Sequence, residues 1–291
     1  MRIAIIGISY NPSTREQIQA LCDSLYEAGD EILLYSQFYD LMRDDILFCE
    51  ECTFFSDYAH VGDVDCFVSI GGDGTLLNTV KFVRDSGVPV IGINTGRLGY
   101  LTAASINDAP EALARIRRGD YVIDQRSLLR VDTKGDLFGE INYALNDFTI
   151  YKKDSASMMT VIVHVNGIFL NSYWGDGLIV STPTGSTAYS LSCGGPIVAG
   201  ECGVFVLTPV APHNLNVRPL IISDDSIITL TAETRHQNYL ATLDSRSESV
   251  YQPVEFTIRK QIFCLNLVRF PNQNFPSTIR EKLLWGADKR N

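Results

Sequence analysis

The sequence predicts an α/β domain with a parallel sheet, followed by a β-rich domain. Two observations carry this. Strand and helix signals alternate up to about residue 120, the grammar of a parallel sheet covered by helices, and from Tyr121 onward they give way to short alternating strand runs. The 291 residues leave room for both domains at about 150 each.

Arg2 to Gly7 makes a short buried-strand run. Ser13 with Glu16 reads as a capping box for a helix whose apolar positions Ile18, Leu21, Cys22 and Leu25 share one face, closed by Gly29. Glu31 to Tyr35 and Val64 to Ile70 read as strands. Leu76, Leu77, Val80 and Val83 give a helical stripe before the strand Val90 to Ile93. A further helix fits Pro110 to Arg118, with Asn107 or Asp108 as cap and Gly119 as stop. Strand alternation then recurs at Leu129 and Val131, at Ile141, Tyr143 and Leu145, and at Thr160 to Val165 and Ile168 to Tyr173, where Asn166-Gly167 marks a hairpin. Strand runs follow at Ile227 to Leu230, Tyr239 to Leu243 and Val254 to Ile258, and Thr278 to Trp285 reads as a helix. The expected division is 1–125 for the α/β domain, 126–270 for the β-rich domain, and 271–291 as a terminal segment that packs back on the first.

Twenty-four basic against 34 acidic residues give a formal charge of −10, which argues against nonspecific nucleic-acid binding and against docking on an anionic membrane. A phosphate site on such a chain would use backbone N–H groups, a helix N-terminus or a bound cation. No apolar run approaches the length of about 18 residues that a membrane span needs, and MRIAIIG is too short for a signal peptide. The chain reads as cytoplasmic. Its seven scattered cysteines suit reduced thiols, and the one CxxC, Cys49 with Cys52, has neither a second pair nor a histidine cluster beside it.

The most informative segment is Ile70-Gly71-Gly72-Asp73-Gly74-Thr75-Leu76-Leu77. It sets a glycine-rich turn between a buried strand and a helix, hence at the carboxyl edge of a parallel sheet, where open α/β folds bind ligands. Gly71, Gly72 and Gly74 permit close backbone approach, and the N–H groups through Thr75 suit phosphate oxygens. Asp73 is the odd feature, because a carboxylate repels a phosphate. It points to accepting a proton from a hydroxyl or holding a divalent cation; the bland alternative is a turn residue that bonds backbone N–H groups. Spacing disposes of the common alternatives: GxGxxG is incomplete, no lysine follows a glycine, and HExxH and GxSxG are absent. Asn146-Asp147 and Asp176-Gly177 read as turns, Thr182 to Ser192 as a polar loop whose hydroxyls could line a nucleotide pocket, and His213 as a buried, hydrogen-bonded histidine ahead of a Leu215 and Val217 alternation.

These residues also carry a resemblance. Gly71 to Thr75 (GGDGT), Asn94 to Leu101 (NTGRLGYL), Asn146-Asp147, Asp176 to Ser192 (DGLIVSTPTGSTAYSLS), Gly194-Gly195-Pro196 and the Pro212-His213 to Arg218-Pro219 segment are together similar to the NAD kinase family. GGDGT alone is shared with lipid kinases, whereas TPTGSTAYSLS is specific, and the motifs occur in family order over roughly residues 65 to 250. The resemblance implies a Rossmann-like α/β domain, a β-sandwich-like C-terminal domain with the active site between the two, and a homo-oligomer, dimer or tetramer. It also implies ATP-dependent phosphorylation of the adenosine ribose 2′-hydroxyl of NAD, giving NADP, with Mg²⁺ or a similar cation. Asp73 matches the family's proposed general base, and Asp73 and Gly74 match substrate contacts. Asn146, Asp147, Asp176, Thr187, Ala188, Tyr189, Ser190, Leu191, Ser192 and Ala211 match NAD-contacting positions. The chain departs from the family at Asp147, where Glu is frequent, at Asn78 and Trp174, where some members carry a basic residue, and at Arg246, where the family has Gln. Arg246 as a charged donor could reach a phosphate or a ligand carbonyl. Two readings from other classes stand beside this one. A lipid kinase sharing the GGDGT turn would favour a basic amphipathic helix, which is not found, and a regulator that binds dinucleotide without chemistry would have no use for Asp73.

Overall fold

The computed structural model of the chain describes residues 1–48, 52–58, 61, 63–96, 99–153, 158–235, 238–251, 253–271 and 273–285. Two compact units emerge, Met1–Gln125 with Leu265–Asn291, and Arg126–Cys264.

The first unit is a parallel sheet with helices. Its strands are β1 (Arg2–Ile6), β2 (Glu31–Tyr35), β3 (Thr53–Phe55), β4 (Cys66–Ile70), β5 (Val90–Asn94) and the two-residue β6 (Ala104–Ser105). The order β3-β2-β1-β4-β5 runs parallel throughout, with β6 beside β5. β4 and β5 are buried along their whole length, as expected of strands covered on both faces. The helices are α1 (Arg15–Glu27), α2 (Ser36–Met42), α3 (Asp73–Val83) and α4 (Ala109–Arg117). α1 buries Ile18, Leu21 and Leu25, and α4 buries Ala109, Ala112, Leu113 and Ile116, one stripe each at helical spacing. Tyr35, Phe55, Phe67 and Phe82 form an aromatic knot with neighbouring centroids 5.3–5.8 Å apart, each side chain contributing about 1.5–3 kcal/mol by burial.

The capping expectations fail in detail. The Ser13–Glu16 box does not form: Pro12 opens a 3₁₀ turn over Pro12–Thr14, and Asn11 caps that turn by accepting from the Ser13 amide. Asp108 stands at the α4 cap, but its carboxylate accepts from Ser105 Oγ at 2.6 Å and not from a helix amide. Gly29 and Gly119 do end their helices, with φ of +69° and +72°.

Because β1 lies between β2 and β4, the chain leaves β1 in opposite directions, and the strand order reverses there. Ligands of open α/β sheets bind at the carboxyl ends of the strands flanking such a reversal. The glycine-rich turn follows β4 at that edge.

The second unit is antiparallel. One sheet has the order β14-β13-β12-β9-β16-β17, from β9 (Asp147–Lys152), β12 (Gly177–Ser181), β13 (Val204–Val210), β14 (Leu220–Ser223), β16 (Tyr239–Leu243) and β17 (Arg246–Val250). The other joins β10 (Met159–Val165), β11 (Ile168–Gly175), β15 (Ile228–Glu233) and the first part of β18 (Glu255–Arg269). β10 and β11 form the Asn166-Gly167 hairpin, with φ of +52° and +78°, the double left-handed turn that this dipeptide favours. Phe148, Ile150, Leu178, Val180, Phe205 and Leu207 from the first sheet pack with Val161, Val163, Leu230, Phe256 and Ile258 from the second, as in a sandwich. β7 (Val122–Thr133) pairs with β8 (Tyr143–Ala144). The terminal helix, α6 (Phe275–Leu283), belongs to the first unit and is capped by Asn274 and Ser277; α5 (Tyr189–Ser192) is a single turn of the second.

Candidate active site

In the first unit the chain runs from β4 straight into α3 through Gly71 and Gly72. Gly71 has φ +149°, and a Cβ there would press on Thr75, 2.9 Å from its Cβ. The Gly72 carbonyl accepts from the amides of Thr75 and Leu76 at 3.0 and 3.3 Å, so the amides of Asp73 and Gly74 are left without a partner inside the helix. A Cβ on Gly72 or Gly74 would meet nothing within 4 Å. The turn therefore offers N–H groups, open space and the positive end of a helix. The Thr75 side chain is buried, so its part in the turn is played by its backbone.

Asp73 is tied to the NTGRLGYL segment. Its Oδ2 accepts from the Tyr100 amide at 2.8 Å and its Oδ1 from the Leu101 amide at 3.0 Å. Gly99 makes this approach possible, since a Cβ there would lie 2.5 Å from Asp73 Cγ and 2.7 Å from Oδ2. The backbone-bonding task considered from sequence is thus real, and it orients the carboxylate. Burial, then the Asp73 charge, push the Tyr100 hydroxyl up. Burial draws the Lys282 ammonium of α6 down, against the pull of Asp73. Asn78, one turn into α3, donates to the Gly74 carbonyl at 3.1 Å. Arg97 and Leu98 of the motif lie outside the described residues, as do His60, His236 and Cys49 of the CxxC.

In the second unit the matched residues form a connected group. The Asp244 carboxylate, in the β16–β17 turn at φ +52°, accepts from the amides of Leu145, Asn146 and Asp147 at 2.9, 2.8 and 3.1 Å. Thr182 completes the brace: its Oγ1 donates to the Leu145 carbonyl at 2.5 Å and its amide to the Asn146 carbonyl at 2.9 Å. Gly185 abuts the same backbone, where a Cβ would lie 2.5 Å from the Asn146 carbonyl carbon. Asn146 is half-buried and Asp147 buried. Burial, then the Asp244 charge, push the Asp147 carboxyl up to about 7, against a hydrogen bond from Thr149.

The polar loop divides its labour. Ser186 Oγ donates to the Pro183 carbonyl and accepts from the Val198 amide, and Ser190 Oγ pairs with Thr208 Oγ1 at 2.7 Å; both side chains are buried. Thr187 Oγ1 donates to the Thr184 carbonyl at 3.2 Å. Thr187, Ala188 and Leu191 are half-exposed, and Tyr189 and Ser192 exposed. Burial, with Cys193, Tyr151 and Asp176 nearby, pushes the Tyr189 hydroxyl to about 12, and the Cys193 thiol in turn feels Asp147. Asp147, Asp176 and Tyr189 therefore share one neighbourhood. Asp176 pairs with Lys152 at 2.6 Å and donates its amide to the Val210 carbonyl. Ala211, next in the chain, is exposed at φ +43°.

Three residues, Arg246, His213 and Leu215, sit in surroundings the sequence did not signal. Arg246 Nη1 donates to the Ile141 carbonyl and Nη2 to the Tyr143 carbonyl at 2.6 Å, so the guanidinium holds the chain just ahead of Asn146. His213 is exposed, not buried; its ring lies 4.3 Å from that of Trp174 and its amide donates to the Trp174 carbonyl. Leu215, expected in a strand, lies in a turn and is 87% exposed. Sequence reasoning missed Gly99, Thr182, Gly185 and Asp244 as site-builders. The signal for Gly99, Thr182 and Gly185 was their place inside the quoted motifs, and for Asp244 its place at the head of Asp244-Ser245-Arg246, where the family also has Asp.

A parallel α/β unit with a glycine-rich turn ahead of a helix, and an antiparallel unit presenting a polar loop, define a nucleotide phosphotransferase. The descriptions of known families make this specific. Residues 53–121 match the ATP-NAD kinase N-terminal domain and residues 145–269 the ATP-NAD kinase C-terminal domain. The chain is 42% identical over 292 residues to the NAD kinase of Cytophaga hutchinsonii and 41% identical over 294 to that of Flavobacterium psychrophilum, with full coverage of both chains in each case. It superposes on an NAD kinase from Archaeoglobus fulgidus, solved in complex with ATP, with a TM-score of 0.71 at 26% identity, covering 96% of this chain and 99% of that one. Yeast NADH kinase, solved with NADH, shares the fold with a TM-score of 0.89 at 23% identity, covering 100% and 89%. The chain belongs to the NAD kinase family, phosphotransferases with an alcohol group as acceptor, and not to the lipid kinases that share its GGDGT turn.

Proposed function

We propose that this chain transfers the γ-phosphoryl group of ATP to the 2′-hydroxyl of the adenosine ribose of NAD, and that Asp73 takes the proton of that hydroxyl. The observation that carries the reading is the Asp73 carboxylate, aimed by two backbone amides and placed at the first turn of α3, where helix amides have no partner within the helix. Phosphoryl transfer asks a protein for alignment and charge stabilisation and for little covalent chemistry. The turn of Gly71, Gly72, Gly74 and Thr75 suits phosphate oxygens through the amides at the start of α3, those of Gly71 and Thr75 being bonded to the Ile93 and Gly72 carbonyls. A general base in the position of Asp73 contributes about 10² to 10⁴ in rate.

Asn146, Asp147, Asp176, the Thr187 to Ser192 segment and Ala211 are assigned to NAD. Asn146 and Asp147 supply amide and carboxyl groups for hydroxyls, held in place by Asp244 and Thr182. The exposed Tyr189 ring supplies a flat apolar face for adenine. Arg246 serves this site through the Ile141 and Tyr143 carbonyls that it holds.

For the divalent cation, among the described residues no three His, Cys, Asp or Glu side chains stand together. The Mg²⁺ is assigned to the nucleotide's phosphates and water, the usual arrangement for this ion. Its contribution would be to neutralise charge spreading over the phosphates. The exposed Ile168, Phe169 and Leu170 on β11, an edge strand, support assembly into a homo-oligomer, readable by light scattering. Among the described residues no helix is long and apolar enough to cross a membrane; a cytoplasmic location is proposed on the charge and composition of the chain.

The test is incubation of the purified chain with NAD, ATP and Mg²⁺, with the product measured by an NADP-specific dehydrogenase. NADP formation supports the reading. Absence of NADP in a folded preparation that binds both substrates contradicts it.

A further inference from the structure

We propose that Arg269 is a positioning residue for Asp73, acting at one remove through residues 99–102; the inference rests on Asp73 being the base. The two amides that hold the carboxylate belong to Tyr100 and Leu101, consecutive residues of a segment with neither helix nor strand structure. Such amides can aim a carboxylate only if their own peptide planes are fixed. Arg269, the last residue of β18, supplies that fixation. Its Nη2 donates to the Tyr100 carbonyl at 2.9 Å and its Nη1 to the Thr102 carbonyl at 3.2 Å. Its Nε faces Asp124 Oδ2 at 3.4 Å.

A planar guanidinium presents donors in a rigid fork, whereas an ammonium is a single point. Here the fork spans two carbonyls two residues apart: the Tyr100 carbonyl shares its peptide with the Leu101 amide that reaches Asp73, and the Thr102 carbonyl anchors the peptide that follows, whose Ala103 amide donates to the Gly92 carbonyl. The Arg269 side chain is only 13% exposed, which strengthens charge-assisted hydrogen bonds of this kind. Two further contacts close the segment: the Gly99 amide donates to Thr102 Oγ1 at 2.9 Å, and Gln273 Nε2 donates to the Ala103 carbonyl at 2.6 Å. Gln273 and Arg269 lie four residues apart, just ahead of α6, so the C-terminal stretch of the chain braces the base from behind.

The test compares Arg269→Gln and Arg269→Lys, each alone and combined with Asp73→Asn, in the full-length protein. The quantities are kcat, KM for NAD and for ATP, and Tm. Displacement of a reacting group by about 1 Å costs about 10²-fold in rate, so Arg269→Gln is expected to lower kcat about 10- to 100-fold. KM for NAD stays within about threefold, since ground-state binding is not what Arg269 serves. Arg269→Lys, which keeps the charge opposite Asp124 and loses the fork, recovers part of the loss. In the Asp73→Asn background Arg269→Gln lowers kcat by less than about threefold, because a residue acting only through Asp73 has nothing left to position.

A wild-type kcat in Arg269→Gln beside an impaired Asp73→Asn overturns this inference alone. So does full additivity in the double variant, or a loss confined to KM. A wild-type kcat in Asp73→Asn overturns the base assignment and this inference with it. If Arg269→Gln does not fold, Arg269→Lys decides by the same split of kcat against KM.

Discussion

Replacing Gly99 by alanine adds one methyl group at the point where the chain passes closest to Asp73. Gly99 has no positive φ, so alanine brings no backbone strain and the effect is steric. The new Cβ would lie 2.5 Å from Asp73 Cγ and 2.7 Å from Oδ2, where ordinary carbon contacts sit at about 3.5–4.0 Å. Either the carboxylate or the Gly99 segment must therefore retreat by about 1 Å. Retreat lengthens the bonds from the Tyr100 and Leu101 amides, now 2.8 and 3.0 Å, and hydrogen bonds to a charged group are worth about 1.5–3 kcal/mol each. A shift of about 1 Å at a reacting group costs about 10²-fold. Steady-state assay of NADP formation should accordingly show kcat reduced by about 10² or more, with KM for NAD within about threefold. A Gly99→Ala enzyme with kcat within threefold of wild type would refute the reasoning that the segment aims the carboxylate.

Two further predictions concern the second unit. Asp147, with its carboxyl raised to about 7, binds more protons folded than unfolded between about pH 4 and 7. Its contribution to stability is therefore present at low pH and lost as pH rises through about 7. Against an Asp147→Asn variant, the wild type should lose roughly 2 kcal/mol between pH 5 and 8 in denaturant titrations; parallel pH curves for the two would contradict the burial argument. Arg246→Ala strips the donors from the Ile141 and Tyr143 carbonyls and the nearby positive charge from Asp244, and should destabilise by about 2–4 kcal/mol in urea melts. An unchanged midpoint would show that the guanidinium is not a structural brace.

Much of the fold was legible because period and punctuation agreed. The stripe Ile18, Leu21, Leu25 and the stop at Gly29 are α1, and Asn166-Gly167 is the hairpin. Where reading failed, a nonlocal partner decided. β18 looked finished near Ile258 because Arg259 and Lys260 interrupt the apolar alternation. Yet the strand continues to Arg269, with Arg259 bonded to Asp132 and Lys260 paired with Asp224 at 2.8 Å, so that charges in mid-strand find partners more than 30 residues away. α2 was invisible because seven residues carry too little periodicity, with Phe38 and Met42 alone buried. The residues proposed to carry the chemistry are read from motifs, since glycine-rich turns and hydroxyl-rich loops are local in sequence. Their supports are not. Asp244 grips amides 97–99 positions away, and Arg269 grips carbonyls 167 and 169 positions away. Arg246 is read as a ligand contact from its place in the Asp244-Ser245-Arg246 match to the family; its bonds to the Ile141 and Tyr143 carbonyls, 105 and 103 positions away, have no local signal.

The central claim is that Asp73 takes the proton of the 2′-hydroxyl, and the most direct measurement is kcat for Asp73→Asn together with its equilibrium binding of NAD. If Asp73 is the base, the folded variant binds NAD within about threefold of wild type and turns over about 10² to 10⁴ times more slowly. A folded variant with near-normal kcat would contradict it.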